Sequence, residues 1–227
     1  MDGKAMVQYR ASDGQDVKLT PQIVARYILT GNGEPSEKEV FSFMAQCQAR
    51  GLNPLAKDCY MTSYRNRDGS TSVSVITSKD YFVRTATQQP DFDGMEAGVV
   101  VINREGEMEY REGSLVGKQT ERLIGGWATV HSKNRAHPSK AVVSLDEYDQ
   151  GRSLWKTKPA TMIRKVALVQ AIREAYPEKF GGVYDSSEMP EHREPIEAEI
   201  EQQAQPIAEP LPEGVGEDDY YYEDQEF

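Results

Sequence analysis

Apolar side chains recur every three or four residues in three segments of the chain, and this spacing is typical of helices. In segment 36–51, Ser36 and Glu39 have the spacing of a capping box, which predicts the start of a helix there. Segment 159–176 begins with a proline and is followed by another, so it predicts one long helix. A third helix is predicted over 20–31, starting at a threonine and a proline and ending at a glycine.

Apolar and polar residues alternate in the middle of the chain, and this alternation predicts strands. Segments 57–64 and 71–77 flank a turn at Asp68 and Gly69, so they form a predicted hairpin. Ser78 then caps a predicted short helix through Gln88. Further strand-like runs occur near residues 94–103, 107–111, 122–131 and 140–144. The predicted fold class is α+β: a single domain with an antiparallel β-sheet crossed by a long helix, preceded by N-terminal helices.

The charge is unevenly distributed along the 227 residues. Segment 190–227 holds thirteen Asp or Glu and one Arg, so it accounts for the net charge of −11, while residues 1–189 are close to neutral. Between residues 117 and 180, twelve Lys or Arg face six Asp or Glu. We therefore predict a flexible N-terminal segment over 1–19, a core domain over 20–189 that meets an anion, and a disordered acidic tail over 190–227.

Several function classes find no support in the sequence. The two cysteines and the absence of a signal-peptide pattern predict a cytoplasmic protein with reduced thiols, and no apolar run approaches the roughly 18 residues that span a membrane. The three histidines are scattered, so no metal site is expected. Segment 113–120 lacks the glycine spacing of a nucleotide-binding loop, and no catalytic motif is present. We expect no cofactor and no enzymatic activity.

The predicted long helix is apolar nearly all round, which is typical of a helix packed on more than one side. Its cations Arg164, Lys165 and Arg173 therefore require anionic partners. Those partners are either acidic side chains of the same chain or an external anion, and the sequence leaves both alternatives open.

Three segments together resemble the RecT/Redβ (Bet) family of phage recombinases, which anneal complementary DNA strands without ATP. They are CQARGLNPLAKDCYMTSY at 47–64, QQPDFDGME at 88–96, and the run from Trp155 through MIRKVALVQAIREAY to FGGVYD at 180–185. The resemblance depends on the order and spacing of the three segments together. Each segment alone contains only a common local signal, such as the end of a helix or a turn.

The resemblance implies an α+β core whose subunits assemble into a homo-oligomeric ring or helical filament in a bacterial host cell. Single-stranded DNA and the annealed duplex intermediate would lie along a continuous groove, held by phosphate contacts and stacking, since any sequence must be accepted. A phage exonuclease or a host single-strand binding protein would be a partner in recombination and DNA repair, and no membrane would be involved.

The residues that this resemblance and the charge pattern select for nucleic-acid binding are cations and aromatic residues. Expected phosphate contacts are Lys57, Arg65, Arg67, Lys156, Lys158, Arg164, Lys165 and Arg173, with Lys79 and Arg84 as further candidates. Tyr60 and Trp155 are candidates for packing against bases or sugars. For Trp155 the alternative is a core anchor beneath the helix start, and for Arg65 and Arg67 it is a solvated hairpin tip without a role.

The end of the chain suggests a second function. Asp224, Glu226 and the terminal Phe227 resemble the acidic tip by which bacterial single-strand binding proteins recruit repair enzymes. Alternatively, the acidic tail competes with DNA for the basic groove, or it only keeps the protein soluble.

The leading hypothesis is an ATP-independent single-strand annealing protein. The first alternative is a passive single-stranded DNA-binding protein without annealing activity, which needs the same cations and aromatic residues. A nuclease is the second alternative, and it would shorten labelled DNA in the presence of magnesium.

Overall fold

The computed structural model describes residues 6–66, 68–117, 119–151, 153–180 and Asp185. These residues all belong to one compact unit. None of the helices in this part of the chain is both long enough and apolar enough to cross a membrane.

The strands of the described residues form three separate sheets. They are β1 (Val7–Arg10), β2 (Asp16–Leu19), β3 (Leu29–Gly31), β4 (Cys59–Arg65), β5 (Thr71–Thr77), β6 (Phe92–Ile102), β7 (Met108–Glu112), β8 (Arg122–Ser132) and β9 (Ser139–Ser144). β1 and β2 form an antiparallel hairpin, and β3-β4-β5 form a sheet in which β3 is parallel to β4. The largest sheet is antiparallel, in the order β7-β6-β8-β9.

Helices separate and cover these sheets. They are α1 (Pro21–Ile23), α2 (Glu37–Arg50), α3 (Lys79–Thr87), α4 (Leu145–Tyr148), α5 (Ser153–Thr157), α6 (Pro159–Ala175) and α7 (Pro177–Phe180). A π-helical turn over Val24–Ile28 follows α1, and a short 3₁₀ helix over Pro54–Ala56 precedes β4. The predicted α+β class is confirmed, although the strands divide among three sheets where a single antiparallel sheet was predicted.

Local signals explain the ends of α2. The Ser36 hydroxyl accepts a hydrogen bond from the Glu39 amide at 3.3 Å, and the Glu39 carboxylate accepts one from the Ser36 amide at 2.7 Å. These two bonds form the predicted capping box. The Ser36 hydroxyl also donates to the Glu39 carboxylate at 2.7 Å, and this bond together with the one from the Ser36 amide holds the pKa of Glu39 below its usual range. At the other end Gly51 adopts a left-handed conformation with φ 62°, which glycine accepts without steric cost. The helix predicted over 36–51 is therefore confirmed.

Helix α6 lies across the four-stranded sheet and packs against β6, β8 and β9. Nine of its seventeen residues are buried, as its nearly continuous apolar surface predicted. The backbones approach each other closely at Gly126 of β8, where an added Cβ would lie 2.5 Å from the Ile163 carbonyl oxygen. A glycine at this strand position therefore sets how closely the helix packs on the sheet.

The N-terminal residues differ from the prediction of a flexible segment over 1–19. Val17 and Leu19 of β2 are fully buried, and the Tyr9 hydroxyl of β1 donates to the Leu52 carbonyl at 2.5 Å. Apolar residues at every second position give this hairpin one face to bury, although its four-residue strands carry a weak signal in the sequence.

The helix predicted over 20–31 ends early. Its start is confirmed, because Thr20 caps α1 and Pro21 occupies the first turn. The chain then passes through the π-helical turn and becomes β3 at Leu29. The helix ends early because of a tertiary contact. Leu29–Gly31 pairs with Met61–Ser63 of β4, and the hydrogen bonds of this pairing replace the last turn of the helix.

Replacing Gly126 with alanine tests the close approach between α6 and the sheet. We expect Gly126→Ala to lower the free energy of unfolding by about 1–3 kcal/mol, because the new methyl group collides with the Ile163 carbonyl. Chemical denaturation monitored by circular dichroism measures the change. Val142→Ala, at an exposed position of β9, is the control and should change stability by less than about 0.5 kcal/mol. Equal stability of the Gly126→Ala and wild-type proteins would contradict this account of the packing.

Candidate nucleic-acid interface

One end of the β4-β5 hairpin brings Lys57 and Lys79 into the same region. Cys59 pairs with Thr77 at this end, so Lys57 lies two residues before β4 and Lys79 two residues after β5. The Ser78 amide donates to the Asp58 carbonyl at 2.8 Å and joins the two connections. Two of the predicted phosphate-binding lysines are thereby placed close together by the register of the hairpin.

The backbone around Lys57 is held in an uncommon conformation. Lys57 follows the 3₁₀ helix with φ 63°, the only non-glycine residue at positive φ among those the structure describes. The Asn53 side chain accepts from the Ala56 amide at 3.2 Å, and the Asn53 amide donates to Asp58 at 2.9 Å. These bonds fix the turn, while the Lys57 side chain remains exposed to solvent. A fixed backbone with an exposed ammonium group suits a phosphate contact.

Two buried carboxylates lie beneath the same end of the hairpin. Asp58 forms an ion pair with Arg84 of α3. Asp185 forms a backbone bridge to Thr77, the last residue of β5, and an ion pair with Lys165 of α6, with an Nζ to Oδ1 distance of 3.0 Å. Both aspartate side chains are only 1% exposed, so each requires its cation. Arg84 and Lys165 therefore join α3 and α6 to the hairpin.

The remaining cations of α6 also make contacts within the chain. The Arg164 guanidinium donates from Nε to the Ala97 carbonyl of β6 at 3.1 Å. Arg173 is half-buried and also has an interaction within the chain. The sequence left open whether the partners of these cations belong to the same chain or to an external anion. The structure provides contacts within the chain for Arg164, Lys165 and Arg173.

The start of α6 is different, because it combines exposed cations with an uncapped helix end. Lys158 occupies the N-cap position without a side-chain hydrogen bond, and the first turn contains no acidic residue. The helix dipole is therefore not offset by a local carboxylate and favours an anion at this end. Lys156 and Lys158 are both exposed beside it. These two predicted residues remain available for phosphate groups.

The two aromatic candidates are less accessible. Trp155 is 2% exposed and belongs to the apolar core beneath the start of α6, so no face of its indole is open to a base. The structure therefore favours the alternative of a core anchor. Tyr60 is half-buried in β4 and has an interaction within the chain.

The remaining predicted residues lie apart from this region or outside the described residues, except Lys79, which lies near Lys57 but contacts a neighbouring carboxylate. Arg65 is exposed at the far end of β4, six residues and about 20 Å from Cys59. Lys79 is 41% exposed and contacts Asp80 at 3.2 Å, a surface ion pair of small energetic value. Arg67 and the three tail residues, Asp224, Glu226 and Phe227, lie outside the described residues.

The sequence did not single out the carboxylates that hold these cations. Asp58 and Asp185 look like ordinary polar residues in the chain, and their partners are 26 and 20 positions away. The exposed pair Arg26 and Tyr27 was also missed, because the segment was predicted to be a regular helix. In the structure the Arg26 guanidinium lies 5.4 Å from the centre of the Tyr27 ring.

Comparison with known proteins places the chain in a family. It is 28% identical over 142 residues to a protein from Ureaplasma parvum serovar 3 described as "Uncharacterized protein UU154". That match covers 56% of this chain and 49% of the relative, so the chain spans about half the length of the curated relative that it matches. A model of the RecT family matches residues 18–204, which include the β4-β5 hairpin, the four-stranded sheet and α6. The chain therefore belongs to the RecT family.

Proposed function

We propose that this protein is an ATP-independent DNA single-strand annealing protein. It binds single-stranded DNA and holds the annealed duplex intermediate along a groove formed by an oligomer. The family match over residues 18–204 is the observation that carries this proposal. The exposed lysines at the end of the β4-β5 hairpin and at the start of α6 support it, since they offer positive charge to a phosphate backbone.

The chemistry of these lysines fits recognition that is independent of sequence. Lys57, Lys79, Lys156 and Lys158 are flexible cations that contact phosphates as point charges. Contacts to the backbone leave the base edges free to pair with a complementary strand. An annealing protein requires this property, whereas readout of base edges would obstruct pairing.

The remaining parts of the proposal follow from this function. The protein needs no cofactor and catalyses no reaction. It acts in the cytoplasm of a bacterial host, and its partner is a phage exonuclease that exposes the DNA or a host single-strand binding protein that covers it. The core over 20–189 carries the DNA, and the acidic residues 190–227 either recruit a partner or compete with the DNA.

Sequential addition of two complementary oligonucleotides tests the proposed function. We expect faster annealing than in the protein-free reaction, without ATP, and a complex that dissociates slowly only when the two strands are added in turn. Fluorescence energy transfer between labelled strands measures the annealing rate. Binding of single-stranded DNA without faster annealing would indicate a passive single-stranded DNA-binding protein. Shortened strands in the presence of magnesium would indicate a nuclease.

Neutralising the two lysines at the start of α6 tests the proposed phosphate contacts. Lys156→Gln combined with Lys158→Gln should lower single-strand affinity and reduce the slope of log K against log salt by about 1.4, since each contact contributes about 0.7. Fluorescence anisotropy over a salt series measures both values. Lys140→Gln is the matched control, because Lys140 is exposed on the sheet face opposite α6. Equal effects of the two variants would contradict the assignment.

A different result is expected for the buried ion pair of α6. Lys165→Gln leaves the Asp185 carboxylate buried without its ammonium partner, so the free energy of unfolding should fall by about 3 kcal/mol. Lys156→Gln should change it by less than about 0.5 kcal/mol, because that side chain is exposed. Denaturant titration of the two variants makes the comparison. Similar stabilities would show that Lys165 does not hold α6 to the hairpin.

A further inference from the structure

The edge strand β7 exposes two large apolar side chains between acidic residues. Met108 is 58% exposed and Tyr110 is 55% exposed, although both belong to a strand of the four-stranded sheet. Glu105, Glu107 and Glu112 are exposed on the same strand and on the turn before it. We call these five residues the acidic edge. Large apolar side chains that remain exposed in a charged rim are typical of a protein–protein contact.

Contacts to the neighbouring strands hold the strand that carries the acidic edge. The Tyr110 ring packs edge-on against the ring of Trp127 with 6.4 Å between the centroids, and the Trp127 indole donates to the Arg111 carbonyl at 3.1 Å. The Arg111 guanidinium is engaged by Glu109 at 2.7 Å and by Glu121 at 2.5 Å. The hydrogen bond from Arg111 also keeps the pKa of Glu109 below its usual range. The Arg111 guanidinium of the same strand is therefore paired with carboxylates, while Arg104 is exposed next to Glu105, so three exposed glutamates face one exposed arginine at this edge.

A second exposed apolar surface has the opposite charge. Tyr27 of the π-helical turn is 68% exposed, and Leu55 of the 3₁₀ helix is 53% exposed. These two elements contact each other, and the cations Arg26 and Lys57 are exposed beside them. Residues 17–33 contain no aspartate or glutamate. We call Arg26, Tyr27 and Leu55 the basic patch, and Lys57 borders it as the lysine that the proposed function assigns to DNA.

We propose that the acidic edge of one copy of the chain binds the basic patch of the next copy. Each surface offers large apolar side chains for burial, and their charges are opposite, so the contact gains both apolar area and electrostatic attraction. The two surfaces share no residue, and the contact is therefore heterologous. A heterologous contact leaves one free surface of each kind and generates a ring or a filament.

This inference rests on the oligomeric groove of the proposed function and names the surfaces that form it. Nucleic acid fits the acidic edge poorly, because its phosphates would meet the exposed carboxylates of Glu107 and Glu112. Leu55 in the basic patch has no π-face for stacking on a base. A second copy of the chain satisfies both surfaces at once.

Mixing two variants tests the contact. The edge variant carries Met108→Ser and Tyr110→Ser, and the patch variant carries Tyr27→Ser and Leu55→Ser, all at exposed positions. Each variant alone should sediment as a monomer under conditions in which the wild-type chain assembles. An equimolar mixture should form a dimer and nothing larger, because each variant retains the surface that the other has lost. Analytical ultracentrifugation of the full chain, with and without an oligonucleotide, measures these species.

Two further variants complete the experiment. Val142→Ser removes an equally exposed apolar side chain at the opposite edge of the same sheet, and it should assemble like the wild type. Glu112→Lys changes only an exposed charge, and at low salt it should raise the concentration for half-assembly about tenfold. This single change tests the contact even if a double variant loses its fold.

Four outcomes would overturn the inference. They are a wild-type chain that stays monomeric with and without DNA, a Glu112→Lys variant that assembles normally, folded variants whose mixture remains monomeric, and a patch variant that assembles normally but loses DNA affinity. The last result would assign the basic patch to nucleic acid. Normal assembly of the wild type without annealing would instead refute the proposed function and leave the contact standing.

Discussion

The rest of the structure depends on the burial of α6 against the four-stranded sheet. The helix is apolar on almost every side, and Gly126 lets its backbone approach β8 closely at Ile163. A helix buried to this extent cannot leave its cations without partners. Arg164 bonds to a carbonyl of β6, and Lys165 pairs with the buried Asp185 beside β5. The packing of one helix therefore connects the four-stranded sheet to the β3-β4-β5 sheet.

This arrangement separates two kinds of cation that look alike in the sequence. Those in the middle of α6 and on the inner side of α3 have internal partners and stabilise the fold. Those at the ends of elements, such as Lys57 after a 3₁₀ helix and Lys156 before α6, keep their ammonium groups in solvent. The proposed function assigns these exposed lysines to phosphate groups, and the uncapped start of α6 adds its dipole to the charge of Lys156 and Lys158.

Local signals in the sequence were sufficient for some elements and insufficient for others. The capping box at Ser36 and the prolines around α6 act within a few residues, so both helices could be predicted with their ends. β3 could not, because its three residues are extended only where β4 offers an edge. The ion pairs of Asp58 and Asp185 join residues 20 or more positions apart. The sequence showed that the helix cations needed partners, but only the fold identifies them.

Lysine modification with mass spectrometry tests most directly whether the exposed lysines contact DNA, because it reports the accessibility of each side chain in the intact protein. An acetylating reagent is applied with and without saturating single-stranded DNA. The account predicts that Lys57, Lys79, Lys156 and Lys158 are reactive alone and several-fold protected by DNA, while exposed Lys140 is unaffected. Unchanged reactivity of the four lysines, or equal protection of Lys140, would contradict it.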